Sequence, residues 1–329
     1  MSSPRRLTAA ATAIALLGGL VACGSGGGGG GGTGPASRPA PSASLFPKAS
    51  GRPLLQVLAA GKGNGPVVSP SATVFTRGVN RVSFGVFTTG QKAITDAQVA
   101  LYAAHGPKGP TEGPFPARIE SLTTEQRFRA KTTADDPMAA HVVYTAELPF
   151  DAAGEWRVGA LIRDGGSFNA SLMPSLIVGA QPKIPAVGQK APLIHTPTAA
   201  DVGGDLSKID TRIPPDDMHS VDYADAYGKR PIVIVFATPQ LCQSRVCGPV
   251  VDVAEQVKQT YGDRAAFIHM EVYNQNDATK GVRPQLRAFH LQTEPWLFAI
   301  DRHGIVRARF EGAFGVDTLE GAVKAAIGG

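Results

Sequence analysis

The sequence predicts two folded domains of different class, an all-β sandwich in the N-terminal half and an α/β sheet in the C-terminal half. Three observations carry this. Between about Arg52 and Ala180 apolar residues recur with period two between turn residues, the pattern of half-buried antiparallel strands. From Val187 onward β-branched runs alternate with stretches of helical spacing, which builds a sheet covered by helices. A chain of 329 residues with 43% hydrophobic content is also long enough for two real cores.

The first element is not part of either core. Arg5-Arg6, an apolar stretch from Leu7 to Leu20 and then Leu20-Val21-Ala22-Cys23 make residues 1–22 an export signal. Its apolar part is too short to span a bilayer. Leu-Val-Ala-Cys followed by Gly24 resembles the lipobox of bacterial lipoproteins. The resemblance implies cleavage before Cys23, lipid on the Cys23 sulfur, and a chain anchored to the cell membrane on its extracytoplasmic side. Removing Arg5 and Arg6 would take the formal charge from +5 to about +3. No basic run is interleaved with aromatics, so a nucleic-acid partner is not expected. Residues 23–51 are rich in Gly, Ser, Pro and Ala, with glycine throughout Gly26 to Gly32, and read as a flexible tether.

Residues 52–180 supply the strands of the sandwich. Val82, Phe84 and Val86 alternate with polar or small neighbours, as do Val142, Tyr144, Ala146 and Leu148, and then Trp156, Val158, Ala160 and Ile162. Leu54 to Leu58, Ala97 to Tyr102 and Leu176 to Val178 are further expected strands. Asp151-Ala152-Ala153-Gly154-Glu155-Trp156 looks like the turn before a late sandwich strand, and the domain resembles small immunoglobulin-like modules of exported bacterial proteins. No cysteine lies between Cys23 and Cys242, so an inter-sheet disulfide is absent. His105 and His141 read as solvated or hydrogen-bonded side chains. Pro107, Pro110, Pro114 and Pro116 mark an irregular excursion, and residues 181–186 form a proline-stiffened linker.

Residues 187–329 carry the chemistry. After a polar lead-in from Val187 to Arg230, the strand Ile232 to Phe236 leads through a turn-rich passage to a helix from Val250 to Tyr261. A strand over Ala265 to Val272, a short helix near Arg283 to Phe289, a hairpin of Trp296 to Ile300 and Ile305 to Phe310, and a last helix from Val316 to Ile327 complete the pattern. The buried strand thus delivers Cys242 and Cys247 to the mouth of a helix. There unpaired N–H groups and the positive end of the dipole favour a thiolate, the form that attacks disulfides. Outside the cytoplasm such a pair tends to oxidise, so a disulfide is its expected resting state.

These residues resemble the thioredoxin-like superfamily, particularly its exported, membrane-tethered members. Val187-Gly188-Gln189-Lys190-Ala191-Pro192 is similar to the family's opening motif, and Lys229 to Thr238 looks like the central strand before its redox site. Glu294-Pro295-Trp296 through Gly304 is similar to the segment whose proline is cis and lies beside the redox cysteines. The resemblance implies a thiol-disulfide oxidoreductase that exchanges disulfides with protein thiols. Cys242 and Cys247 would be the catalytic pair, Glu294 and Pro295 would hold the partner chain, Arg245 would add positive charge, and Trp296 would pack under the site. The family carries two residues between its cysteines where this chain has four. Two registers follow: one makes Cys242 the attacking thiol and is narrowly favoured, the other makes it Cys247. Three other readings stand beside this one. Thr238-Pro239-Gln240-Leu241-Cys242 resembles the neighbourhood of a peroxiredoxin-like thiol peroxidase. Two thiols with a distant histidine suit copper delivery, with His290 nearby but out of register, and with Met218-His219 in the acidic loop Asp216-Asp217 another soft site that reads better as a solvated turn. A non-catalytic accessory lipoprotein with a degenerate fold is the last. No cofactor or resident metal is expected.

Overall fold

In the computed structural model, which describes Met1, residues 34–181 and residues 183–329, the period-two stretches are strands. The export signal, Cys23 and the glycine run lie outside the described residues. One sheet has the order β1 (Val67–Pro70), β2 (Gly78–Phe87), β6 (Val142–Phe150) and β5 (Arg118–Ser121). A second has the order β4 (Thr111–Pro116), β3 (Gln98–His105), β7 (Gly154–Asp164) and β8 (Ser167–Leu172), with β9 (Leu176–Val178) also paired to β7. All their pairings are antiparallel. Alternate side chains of the two sheets, among them Val82, Phe84, Tyr144, Leu101, Trp156 and Val158, meet in one core, which makes the region a sandwich.

Two expectations are corrected here. Leu54–Leu58 is a helix, α1, not a strand. Leu54, Val57 and Leu58 are its buried residues, a spacing of three and four that only a helix turns to one side, and they cover Ala100, Tyr102 and Leu161 on the outer face of the second sheet. The end of the expected tether is laid on the same region. Arg38 exchanges backbone hydrogen bonds of 2.8 and 2.9 Å with Ile119, and Phe46 and Ala49 are buried. The proline-rich excursion becomes β4, which sits at the sheet edge, where a residue without an N–H leaves no ladder bond unmade.

The α/β region follows. After a short helix, α2 (Lys131–Ala134), in the β-rich region, it comprises α3 (Tyr223–Ala226), β10 (Ile232–Phe236), α4 (Cys247–Tyr261), β11 (Ala266–Met270), α5 (Pro284–Ala288), β12 (Trp296–Ile300), β13 (Val306–Glu311) and α6 (Val316–Ile327). The sheet order is β11-β10-β12-β13, with β10 parallel to β11 and the β12 and β13 pairings antiparallel. Every residue of β10, β11 and β12 is buried, as expected of strands covered on both faces. Val250, Val253, Val257, Leu319 and Val323 from α4 and α6 pack on Val233, Val235, Leu297 and Ala299. Tyr223, Leu286 and Phe289 pack on the opposite face, against Ile234, Phe236, Trp296 and Phe298.

Gly32–Gly329 form one compact unit, and the β-rich and α/β regions share an interface of buried polar contacts. Glu120 of β5 accepts from Gly315 N (3.0 Å) at the start of α6 and pairs with Arg81 at 3.1 Å. Glu311 accepts from Thr73 N (2.8 Å) and Val74 N (2.7 Å). Leu122 and Val143 extend the α4 side of the core into the β-rich region. Among the described residues no helix is long and apolar enough to cross a membrane.

Candidate functional site

The two cysteines lie where β10 hands over to α4. The helix begins at Cys247 itself, three residues earlier than the spacing of apolar residues predicts, because Gly248 and Pro249 fit its first turn. Between the cysteines the chain turns sharply, with Arg245 in the left-handed region at φ 59° and its carbonyl accepting from Ala140 N of the β-rich region (3.1 Å). Both cysteines are free thiols. Both are buried, Cys247 at 0% exposed and Cys242 at 4%, so what access the pair has lies at Cys242.

Their acidities are driven apart. The Cys247 thiol donates to the Cys242 sulfur; with Ser244 Oγ at 3.2 Å and the N–H groups of Cys247 and Val246, this outweighs burial and pulls Cys242 down to about 6. Burial and the neighbouring Cys242 push Cys247 well above its ordinary value, against a hydrogen bond from the Thr238 backbone. One thiol is therefore a thiolate at neutral pH while its partner keeps a proton for it.

The other expected site residues divide. Glu294 is close enough to feel both cysteines electrostatically, and burial, then Cys242, raises its pKa. The Glu294–Pro295 bond is cis. Arg245 is a correction: its guanidinium points to Asp136 at 3.4 Å, it is half exposed, and it is not among the groups that lower Cys242. Trp296 is a second correction. It alternates with Leu297 onto the face of the sheet opposite α4, where it stacks on Phe298 and donates to Thr293 Oγ1 at 2.9 Å, so it does not lie under the cysteines. Met218-His219 is a third, since these residues are 0% and 2% exposed and form no solvated turn. His290 is exposed, and among the described residues the one cluster of three or more metal-capable side chains contains neither cysteine. The copper reading is thus left with two cysteine sulfurs and, among the described residues, no histidine clustered with them.

Sequence reasoning missed several neighbours. Ser244 touches Cys242, and the Tyr273 hydroxyl is raised by burial, by Glu294 and by both sulfurs. Thr238 is 0% exposed, and its Oγ1 has no hydrogen-bond partner. Ser244, Arg245 and Val246 also form one wall of a cavity of about 530 Å³ whose other walls include Phe87, Met138 and His141 of the β-rich region. The polar lead-in hides a further group. Asp210, Asp216 and His219 meet His269 of β11 below the surface behind the cysteine loop, each at most 3% exposed. Against the cost of burial, Asp216 and Asp210 raise His269 to about 10. An aspartate in a stretch of Asp, Pro and Thr gives no periodic signal of being buried, so the sequence offers Met218-His219 beside Asp216 as a candidate soft site in a solvated turn but not the buried group with Asp210 and His269.

No protein-family profile matches the chain, and no curated protein matches it in sequence. Among solved structures it is similar to a candidate thiol:disulfide interchange protein DsbE from Chlorobium tepidum, at 19% identity over 44% of this chain and 99% of that one, with a TM-score of 0.32. It is similar also to a thiol:disulfide interchange protein of the thioredoxin family from Chlorobium tepidum TLS, at 18% identity over 43% and 98% of the two chains, with a TM-score of 0.29.

Proposed function

We propose that this chain is an extracytoplasmic thiol-disulfide oxidoreductase, held to the membrane by lipid on Cys23, with a sandwich over 52–180 and a thioredoxin-like redox domain over 187–329. The observation that carries the reading is the asymmetry of the pair: Cys242, buried but for 4% of its area, has its pKa drawn down to about 6, while Cys247 is wholly buried with its pKa driven up. Cys242 is therefore the attacker and Cys247 the resolver. The Cys242 thiolate attacks one sulfur of a partner's disulfide, forming a mixed disulfide and expelling the partner's other sulfur as a thiolate that takes up a proton. Cys247 then gives up its proton and attacks Cys242, and the partner's second sulfur leaves. The partner gains two electrons and the chain is left with a Cys242–Cys247 disulfide. Run backward, the same steps place a disulfide in the partner. Glu294, close enough to feel both cysteines electrostatically, is the acceptor for the Cys247 proton, and Pro295 borders the place where the partner chain lies. The sandwich walls one side of the cysteine loop.

Trapping tests this directly. Cys247→Ser is expected to accumulate a mixed disulfide with partner proteins, and Cys242→Ser to accumulate none. A pair that resists reduction below about −300 mV, as structural disulfides do, together with no trapping by either variant, sinks the reading and leaves the accessory lipoprotein. A second reading, thiol peroxidase, is favoured by one observation only, the buried and unpartnered Thr238 hydroxyl near the pair. It requires that each peroxide consumed oxidise both thiols of the reduced protein: Cys242 takes one peroxide oxygen as a sulfenic acid, releasing water or an alcohol, and Cys247 then displaces water from it to close the disulfide.

A further inference from the structure

Behind the cysteine loop, four side chains that no step of the thiol chemistry uses converge on one point. Asp210, Asp216 and His219 come from the loop ahead of α3, and His269 from β11; they are 3%, 3%, 2% and 1% exposed, and their ligand atoms all lie within 4.8 Å of one another. His219 Nε2 is 3.4 Å from Asp210 Oδ2 and 3.4 Å from Asp216 Oδ1. His269 Nδ1 is 2.7 Å from Asp216 Oδ2 and 3.7 Å from Asp210 Oδ1.

The decisive feature is His219. Both its ring nitrogens are buried without a hydrogen-bond partner, although Nε2 stands close to two carboxylates. Leaving a buried imidazole unbonded costs stability unless something pairs with it. Its nitrogen is aimed at the space between the carboxylates and does not donate to either. In a tetrahedral site with bonds near 2.0–2.1 Å, neighbouring ligand atoms stand about 3.3 Å apart. Each carboxylate turns one oxygen toward each imidazole, at separations of 2.7 to 3.7 Å, and one ligand atom from each of the four residues lies within 4.8 Å of the other three, so an ion would draw the four atoms inward to reach that spacing.

The surroundings are those of held ligands. His269 Nε2 donates to Ala237 O at 3.1 Å, the outer hydrogen bond that fixes a metal-bound imidazole and leaves Nδ1 for the metal. Asp210 accepts from Arg212 N and Asp216 N, each at 2.7 Å, and Asp216 Oδ1 accepts from Met218 N at 2.9 Å, which locks both carboxylates in place. Charge points the same way: two buried carboxylates converge on the point, and a dication there would neutralise them.

We propose that Asp210, Asp216, His219 and His269 form a binding site for a divalent transition-metal ion of the zinc class, four-coordinate and free of sulfur. Imidazole and carboxylate donors in a closed, dehydrated shell suit zinc; calcium and magnesium take six or more oxygens and keep water. The ion would pin the lead-in loop to β11. The Ala237 carbonyl that orients His269 belongs to the peptide whose N–H, on Thr238, faces Cys247, so the site braces the resolving cysteine from behind.

The test uses the full chain carrying Cys23→Ser, Cys242→Ser and Cys247→Ser, which removes every thiol as a competing ligand. After chelator treatment, Zn2+ and Co2+ are added separately and bound metal is measured by elemental analysis. The expected result is one metal per chain, a raised thermal midpoint, and a Co2+ spectrum with tetrahedral visible bands and no sulfur charge-transfer band. His219→Gln, which removes no hydrogen bond, is expected to weaken binding by at least about 100-fold while circular dichroism of the metal-free protein stays the same. No bound metal in the parent, or equal binding by His219→Gln, overturns the proposal. Should His219→Gln lose its fold, the parent alone decides: an octahedral Co2+ spectrum or no thermal shift overturns the site, and a tetrahedral spectrum with a shift upholds it. Because both cysteines are absent, neither outcome depends on whether the pair is redox-active.

Discussion

At the scale of single residues, the cysteine loop separates what charge does from what hydrogen bonds do. Arg245 lies between the sulfurs in sequence and is the natural source of a depressed thiol, yet its side chain turns away to Asp136. Cys242 is lowered by donors within reach of its sulfur: the Cys247 thiol, Ser244 and two backbone N–H groups. Hydrogen bonds of this kind act over one contact and need no net charge nearby. Alkylation of the reduced protein by iodoacetamide should accordingly rise with pH through a midpoint at about 6 and level off above it. Ser244→Ala should move that midpoint upward, while Arg245→Gln should leave it in place. A midpoint near the ordinary thiol value of 9.0 in the native chain would refute the assignment of Cys242 as attacker.

At the scale of elements, legibility followed periodicity. Runs such as Ile232 to Phe236 and Trp296 to Ile300 were plain because β-branched and aromatic residues buried on both faces leave no other reading. Leu54–Leu58 went the wrong way because five residues hold too few periods to separate a strand from one helical turn. The prolines of β4 hid a strand because edge position, which makes them harmless, is a property of the sheet and not of the segment. The same limit concealed the site's second half. Cys242 and Cys247 announce themselves by residue type and spacing, whereas Asp210, Asp216, His219 and His269 are joined only when the lead-in folds across β11. The amphipathic helices, by contrast, carry a quantitative expectation. Leu319 of α6 is fully buried against α4 and the sheet, so Leu319→Ala should cost about 2–5 kcal/mol, read as a lower urea midpoint with unchanged slope. A loss under about 0.5 kcal/mol, typical of a surface position, would mean that α6 is not docked as described.

At the scale of the whole molecule, the issue is whether the β-rich and α/β regions fold as one. Their contacts are unlike those of two modules joined by a loose linker. Ile184 in the connecting segment is buried, and Arg309 donates to the carbonyls of Ile184 (3.0 Å) and Pro185 (2.9 Å). Arg212 of the lead-in pairs with Asp252 of α4 at 3.1 Å and donates to Phe128 O of the β-rich region at 2.7 Å. Glu120 is the most connected of these groups. It binds Arg81 and Arg118 within the sandwich and reaches Gly315 N at the first turn of α6; although burial opposes its ionisation, Arg81 leads the contacts that hold its carboxyl below the usual range. Removing one partner of a buried pair leaves the other charge unsatisfied, at a cost of about 3–5 kcal/mol. Arg81, whose guanidinium is buried beneath Phe310 and also donates to Ala313 O at 2.9 Å, would be that charge in Glu120→Ala. Calorimetry of the native chain should therefore show a single transition, and Glu120→Ala should lower it or split it as the two regions uncouple. If the native chain already melts in two steps and Glu120→Ala shifts only one of them, the regions are independent, and the sandwich cannot serve as a fixed wall beside the cysteine loop.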